Sequence, residues 1–262
     1  MWASLASRKS LLIQSLTQFG LKICEKSLLT RKKPFMEYRK YYLERLYPLQ
    51  DSFLKFFDHQ NQGRFYLTGG TALSRFYYQH RYSEDLDFFS VAELKNFREI
   101  LPKILDAARQ KGFLIEVETI SEHFFRIYVK EKETSLKIDF VNEVAFHWGE
   151  LNRFPFFACV DNEINILSNK VTCISRYEVK DIADIWVLAR RLSFSWREVV
   201  GIAEKKSPVD PIEVSKIIKS LPREELKLIK WAFDIQIDEV YADLQTIAED
   251  ILLGQTNSLK LD

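Results

Sequence analysis

The chain has 262 residues, with 38 Lys+Arg against 37 Asp+Glu, a formal net charge of +1, and 47% hydrophobic residues. That length allows one large or two modest cores, and 20 Phe and 11 Tyr supply ample apolar area, which excludes disorder as the dominant state. The balanced charge excludes a general electrostatic field for nucleic acid, but a local basic surface stays open.

Residues 1–60 read as helical, with a segment from Pro34 to Phe57 that carries Phe35, Tyr38, Tyr42, Leu46 and Leu49 near helical spacing. His59 to Arg64 reads as a polar turn, Phe65-Tyr66-Leu67 as a short strand closed by Gly69-Gly70, and Thr71 to Gln79 as a helix. Alternation begins at Asp85-Leu86-Asp87-Phe88-Phe89, and a helix is expected from about Val91 to Gln110. Strands follow over Phe113 to Ile120, Phe124 to Glu131 and Leu136 to Val141, and a further strand or two within Phe156 to Leu167. From Asn169 the pattern is helical: Lys170 to Leu192, Ser195 to Lys205, Pro211 to Ser220 and Arg223 to about Leu253, with Pro208, Pro211 and Pro222 between them. The expected fold class is α+β, a mixed sheet with flanking helices followed by a helical C-terminal half. The expected division is 1–60 (helical segment on the core), 61–168 (α+β domain) and 169–262 (helical domain).

No stretch approaches ~20 apolar residues, so no membrane span is expected, and the start MWASLASRKSLLIQSL does not read as a signal peptide. Cys24, Cys159 and Cys173 fit neither a zinc module nor a disulfide framework, and His59, His80, His123 and His147 show no zinc spacing. The cysteines read as isolated buried thiols, which point to a reducing, cytoplasmic setting. Basic residues gather at Arg8-Lys9, Arg31-Lys32-Lys33 and Arg39-Lys40, with further pairs at Arg190-Arg191 and Lys205-Lys206. Each reads either as solvated surface or as part of a local patch. The run Phe154 to Phe157 reads as core or edge packing, with base stacking as the other use.

The chemistry concentrates in carboxylates and glycines. Asp85 and Asp87 stand two apart in a strand, which puts both on one face. Asp139 lies in Leu136-Lys137-Ile138-Asp139-Phe140, where Leu136, Ile138 and Phe140 take one face and Lys137, Asp139 and Val141 the other. Carboxylates so placed repel one another unless a cation lies between them. Hard oxygen ligands suit Mg²⁺ (or Mn²⁺), with triphosphate oxygens completing the shell. One ion would align the phosphates and a second would sit between the attacking hydroxyl and the α-phosphate, with Asp139 helping to activate that hydroxyl. The alternative is a set of strand-edge acids facing solvent.

Thr68-Gly69-Gly70-Thr71 between a strand and a helix is a phosphate-binding layout, because glycine lets backbone N–H groups approach an anion at a helix start. The threonine hydroxyls could add contacts, or Thr71 could cap the helix. The run is neither a Walker loop nor a dinucleotide fingerprint.

The segments Leu67 to Leu73 and His80-Arg81-Tyr82-Ser83-Glu84-Asp85-Leu86-Asp87-Phe88-Phe89 together resemble the AbiEii/AbiGii toxin family of nucleotidyltransferases, of the DNA polymerase β-type superfamily. Leu136 to Phe140 resembles the third-carboxylate strand of that family. Asn169-Lys170, Arg176 and Lys180-Asp181-Ile182-Ala183-Asp184 resemble its Asn-Lys…Arg…Arg-Asp-x-x-Asp helix, with Lys180 where arginine is more usual. The likeness spans roughly residues 60 to 190.

The resemblance implies a Mg²⁺-dependent enzyme that moves a nucleotide from a nucleoside triphosphate to an acceptor. Some members of the family act on the acceptor end of tRNA, and many are neutralised by a separate antitoxin protein. It implies catalytic roles for Asp85, Asp87, Asp139 and Lys170, with the three aspartates as metal ligands. Nucleotide-binding roles fall to Thr68, Gly69, Gly70, Thr71, Arg81, Ser83, Asp181 and Asp184. By spacing alone Lys170 is a helix N-terminal lysine, slightly disfavoured by the dipole. Asp184 could orient Lys170 or Arg81, or bind the base or acceptor. Arg81 suits a phosphate clamp, and Arg176 suits a salt bridge equally well. The other readings are nucleotidylation or phosphorylation of a protein, and a non-catalytic nucleotide-binding module.

Overall fold

The structure is a computed structural model and describes residues 38–92, 94–142 and 146–259. The expected helix start at Pro34, the basic runs before residue 38 and Cys24 lie outside them. A helix enters through a π-helical turn, Tyr42–Leu46, and continues as α1, Tyr47–Asn61. It runs four residues beyond the expected end, and the turn is confined to Gln62–Arg64.

The remaining elements are β1 (Phe65–Thr68), α2 (Gly69–Ala72, continued by a π-helical stretch Leu73–Tyr78), β2 (Leu86–Ser90), α3 (Phe97–Gln110), β3 (Leu114–Ile120), β4 (Phe124–Glu131) and β5 (Thr134–Val141). Then come β6 (Asn152–Phe154), β7 (Phe157–Val160), α4 (Glu163–Thr172), α5 (Val179–Arg191), α6 (Trp196–Glu204), α7 (Pro211–Ser220) and α8 (Ile237–Leu253). Among the described residues the seven strands make one mixed sheet in the order β3-β4-β5-β2-β1-β7-β6. Strand β2 is antiparallel to β1 and parallel to β5, and β1 is parallel to β7. The expected α+β class is what forms.

Alternation assigns the two faces. Phe65, Leu67, Leu86, Phe88, Ile138 and Phe140 are fully buried on one face. There Phe57 of α1 meets Phe88 at 4.6 Å and Phe140 at 5.3 Å, while Phe97 of α3 meets Phe125 at 5.0 Å. Each such ring contributes roughly 1.5–3 kcal/mol by leaving water, so this face holds the strands in register. The opposite face carries Tyr66, Thr68, Asp87, Lys137 and Asp139, because residues paired across neighbouring strands share a side.

Several boundaries differ from expectation. The helix expected from Val91 begins at Phe97, because Val91 N–H donates to Arg64 O and so extends the strand-side pairing. The stretch from Glu163 to Leu167 is helical rather than a strand, started by Asn162, whose side chain accepts from the Asn165 N–H. The expected helix Lys170 to Leu192 is two helices, broken by a 3₁₀ turn at Ile174–Arg176 and by Tyr177 at φ 54°. Lys170 therefore sits in the last turn of α4, where the helix dipole favours a cation, not at an N-terminus. The expected long helix from Arg223 is a 3₁₀ turn, Arg223–Leu228, followed by an extended segment before α8. That segment pairs its backbone with another strand-like piece: Tyr82 N–H donates to Lys230 O, and Ala232 N–H to His80 O.

Candidate active site

Strand β1 ends because Gly69 takes φ 72°, a left-handed value that side chains resist. A Cβ at Gly69 would lie 3.0 Å from Asp87 Oδ2. The register places Thr68 opposite Asp87, and Asp87 opposite Asp139. Asp85 stands one residue before β2. The glycine loop and the three aspartates therefore share one face of the sheet.

Their surroundings differ sharply. Asp139 is gripped by the Arg126 fork, Nε to Oδ1 at 2.7 Å and Nη2 to Oδ2 at 2.8 Å. Asp85 Oδ2 is 2.8 Å from Lys137 Nζ, which is also 3.8 Å from Asp139 Oδ2. Burial pushes the Asp85 carboxyl up, but the bond and charge of Lys137 outweigh it and hold the group below its ordinary range. The Asp87 carboxylate makes no hydrogen bond or ion pair with any described residue. Burial, then the charges of Asp85 and Asp139, push it up to about 7.

The sequence reading gathers all three carboxylates around one ion. Among the described residues no three Asp, Glu, His or Cys side chains stand close enough to hold a metal, because Arg126 and Lys137 draw Asp139 and Asp85 toward themselves. The donor set still fits a divalent cation. It consists of hard oxygens on one face, and one of them, the half-buried Asp87 carboxylate, makes no ion pair with a described residue.

Behind Gly70 lies a second cluster, buried except for Arg176 at its edge. Asp184 accepts from His80 Nε2 at 2.7 Å and from Arg81 Nε and Nη2 at 2.7 and 2.8 Å, and Lys170 Nζ is 2.8 Å away. Lys170 also donates to Asp181 at 2.5 Å, and Arg176 Nη2 reaches the other Asp181 oxygen at 3.2 Å. Burial would raise Asp184, yet Arg81 and then Lys170 hold it well below the usual carboxylate range. Burial would lower Lys170, and Asp184 and Asp181 more than offset it. Asp184 thus contacts both Lys170 and Arg81. The Arg81 fork is engaged by Asp184 and Tyr82 O rather than open to solvent. His80 lies beyond the end of α2, fully buried, and is not part of the open face.

Gly70 is what allows this cluster to approach the loop. A Cβ there would sit 2.1 Å from Arg81 Nη2 and 3.3 Å from Asp184 Oδ2. Gly70→Ala is expected to cost about 2–4 kcal/mol by parting a buried charged pair. Urea unfolding measures this, and a loss under ~0.5 kcal/mol would show that the guanidinium moves freely.

Thr71 does not cap the helix. Its hydroxyl donates to Asp85 O at 2.5 Å and lies 2.8 Å from Ser83 Oγ, tying α2 to the approach of β2. Thr68 donates to Asp161 Oδ2 at 2.5 Å. Asp161 is a buried residue that sequence reasoning passes over. It also accepts from Asn165 Nδ2 at 3.0 Å and His147 Nε2 at 3.0 Å. Its one local signal is its place just before the Asn162 cap. Lys206 reaches Asn165 Oδ1, Ser168 Oγ and Asn169 Oδ1, each at 2.6 Å, so it anchors α4 rather than an exposed patch. Arg190 is paired with Asp243. Phe157 is core, and Phe154 packs on Phe76 at 5.2 Å. Cys159 and Cys173 are free and partly exposed, not buried.

A glycine-turned strand end facing acids on two adjacent strands, with helices behind, defines a nucleotidyltransferase-type fold. The family model described as nucleotidyl transferase AbiEii toxin, type IV toxin–antitoxin system, matches residues 54–207, more than half of the chain. The chain belongs to this family and is a nucleotidyltransferase. It is 28% identical over 199 residues to the uncharacterized protein aq_aa25 of Aquifex aeolicus (strain VF5), spanning 71% of this chain and 82% of that one. A Helicobacter pylori protein crystallised as a candidate nucleotidyltransferase shares the fold at TM-score 0.54 and 20% identity, over 78% of this chain and 94% of its own. MenT4, the nucleotidyltransferase toxin Rv2826c of Mycobacterium tuberculosis H37Rv, does so at 0.53 and 16%, over 79% and 82%. Among the described residues no helix is long and apolar enough to cross a membrane.

Proposed function

We propose that this chain transfers a nucleotide from a nucleoside triphosphate to the 3′-terminal hydroxyl of an RNA, a tRNA foremost, in a Mg²⁺-dependent reaction, as the toxin of a toxin–antitoxin pair. The observation that carries the reading is Asp87, a half-buried carboxylate with no hydrogen bond or ion pair to any described residue, set between Asp139 and the Gly69 turn. When bound, a divalent cation on Asp85, Asp87 and Asp139 supplies charge to the triphosphate and acidity to the attacking hydroxyl. The backbone of Gly69-Gly70 receives phosphate oxygens, with Thr68, Thr71 and Ser83 fixing that loop. Asp139 accepts a hydrogen bond from the attacking hydroxyl, which displaces pyrophosphate from the α-phosphorus. Arg81, Asp181 and Asp184 hold Lys170 and the floor of the loop in place, and Lys170 extends the positive field toward the phosphates.

An RNA end is favoured over a protein acceptor by one surface. Phe146 and Trp148 are exposed, and Lys205 Nζ lies 4.9 and 5.7 Å from their ring centres. Rings beside a cation suit stacked bases and a phosphate. His147, between them, is bonded through the buried Asp161 to Thr68, so hydrogen bonds tie this segment to the nucleotide loop. The test incubates the protein with each α-labelled triphosphate, Mg²⁺ and a purified tRNA pool, intact or with the terminal ribose hydroxyls removed by periodate. Label is expected on intact tRNA only. Equal labelling of both, or label on protein alone, would move the reading to protein nucleotidylation.

A further inference from the structure

We propose that Lys137 is the resident counter-ion of the carboxylates in the nucleotide-free enzyme, and that its ammonium transfers to the phosphates of the bound triphosphate when a divalent cation takes those carboxylates. This rests on the metal reading of the site above and assigns a binding residue for which the glycine loop and aspartates do not account.

The position is fixed by the strand. Lys137 lies two residues before Asp139 on β5, so alternation puts both on the site face. The parallel pairing Leu86↔Ile138 sets Lys137 level with Asp85. Its Nζ stands between Asp85 at 2.8 Å and Asp139 at 3.8 Å. A +1 charge therefore lies within the group of carboxylates that a divalent cation would enter.

The two basic partners are not equivalent. Arg126 grips Asp139 with two parallel bonds of a rigid planar fork. Lys137 is a point charge on a flexible four-carbon stem, bonded to Asp85 through a single nitrogen. Displacement therefore costs less at Lys137. Its stem cannot carry the ammonium through the sheet, so once displaced it stays on the face where the glycine loop receives the triphosphate. Lys137 and Arg126 are paired with Asp85 and Asp139, and Asp87 makes no ion pair with a described residue, so a cation can be drawn to the face while Lys137 is still present.

Two effects of opposite sign follow. Removing the ammonium should tighten divalent cation binding, because a competing charge is gone. It should weaken triphosphate binding, because a phosphate partner is gone. A residue that merely props the strand would weaken both.

The experiment titrates Mn²⁺ into nucleotide-free protein by calorimetry, for wild type, Lys137→Met and Asp87→Asn, and then titrates a non-hydrolysable triphosphate with Mn²⁺ saturating. Lys137→Met is expected to bind Mn²⁺ about tenfold more tightly and the triphosphate about tenfold more weakly. KM should rise more than kcat falls, and Lys137→Arg should restore part of the triphosphate affinity. Unchanged or weaker Mn²⁺ binding by a folded Lys137→Met, with binding lost in Asp87→Asn, would overturn the Lys137 proposal and leave the metal reading standing. Tighter Mn²⁺ with unchanged triphosphate affinity would overturn the phosphate role. Mn²⁺ bound by none of the three proteins would overturn the metal reading and Lys137 with it.

Discussion

Replacing Asp184 with alanine is expected to destabilise the protein by about 3–5 kcal/mol, enough to threaten folding at growth temperature. Asp184 is fully buried and is the shared acceptor for His80, Arg81 and Lys170. Without it two buried cations face only Asp181, which Lys170 and Arg176 already share. An uncompensated buried charge accounts for most of the loss, so Asp184→Asn, which keeps the shape, should recover little of it. The same carboxylate gives a sign to the acid response. Its folded pKa is depressed, so its contribution is complete above the unfolded value near 4 and is lost as pH falls below that value. Burial holds His80 below its ordinary value, so acid must also charge a buried imidazole, and that loss begins below about 6.5. Denaturant midpoints at pH 7, 5 and 3 should therefore fall in two stages for wild type. A midpoint for Asp184→Ala at pH 7 within ~1 kcal/mol of wild type would mean that water replaces the carboxylate at no great loss.

What was legible in the sequence was local. The alternation through Leu136 to Val141 placed Asp139 on the open face, and the glycine pair before Asp-Leu-Asp gave the loop and the acids their common side. The parallel pairing of β2 and β5, on which the site depends, joins residues some fifty positions apart, and no local pattern encodes it. Asp161 was missed for the same reason: its partner Thr68 is 93 residues away. Lys206 read as surface because lysine usually is, whereas here four acceptors on α4 surround its ammonium. The break after Leu228 carries no glycine or proline. It exists because residues 230–232 satisfy backbone groups of residues 80–82, a tertiary demand that overrides helical periodicity. Lys170 was placed at the wrong end of a helix because the turn at Tyr177 likewise shows no breaker residue.

Asp87→Asn should do the reverse of Asp184→Ala: abolish activity while leaving the fold intact or firmer. Asp87 makes no hydrogen bond or ion pair with any described residue and stands beside two other carboxylates, so its charge works against folding in the absence of a cation. The amide keeps the volume against Gly69 and removes the repulsion, and a gain of about 1 kcal/mol in EDTA is expected. The same change removes the one of the three carboxylates that makes no ion pair with a described residue, and with it the site's strongest claim on a divalent cation. Nucleotide transfer should fall by about 10³-fold or more, the scale of losing a central electrostatic group. Thermal unfolding links the two effects. Added Mg²⁺ should raise the wild-type Tm by mass action, because the ion binds the folded form, and should leave Asp87→Asn unmoved. Asp139→Ala gives a contrasting control, since it frees Arg126 and should lose both activity and some stability. If Asp87→Asn keeps a tenth of wild-type transfer, or if its Tm in EDTA falls by several degrees, Asp87 is a structural acid and the cation site lies elsewhere on this face.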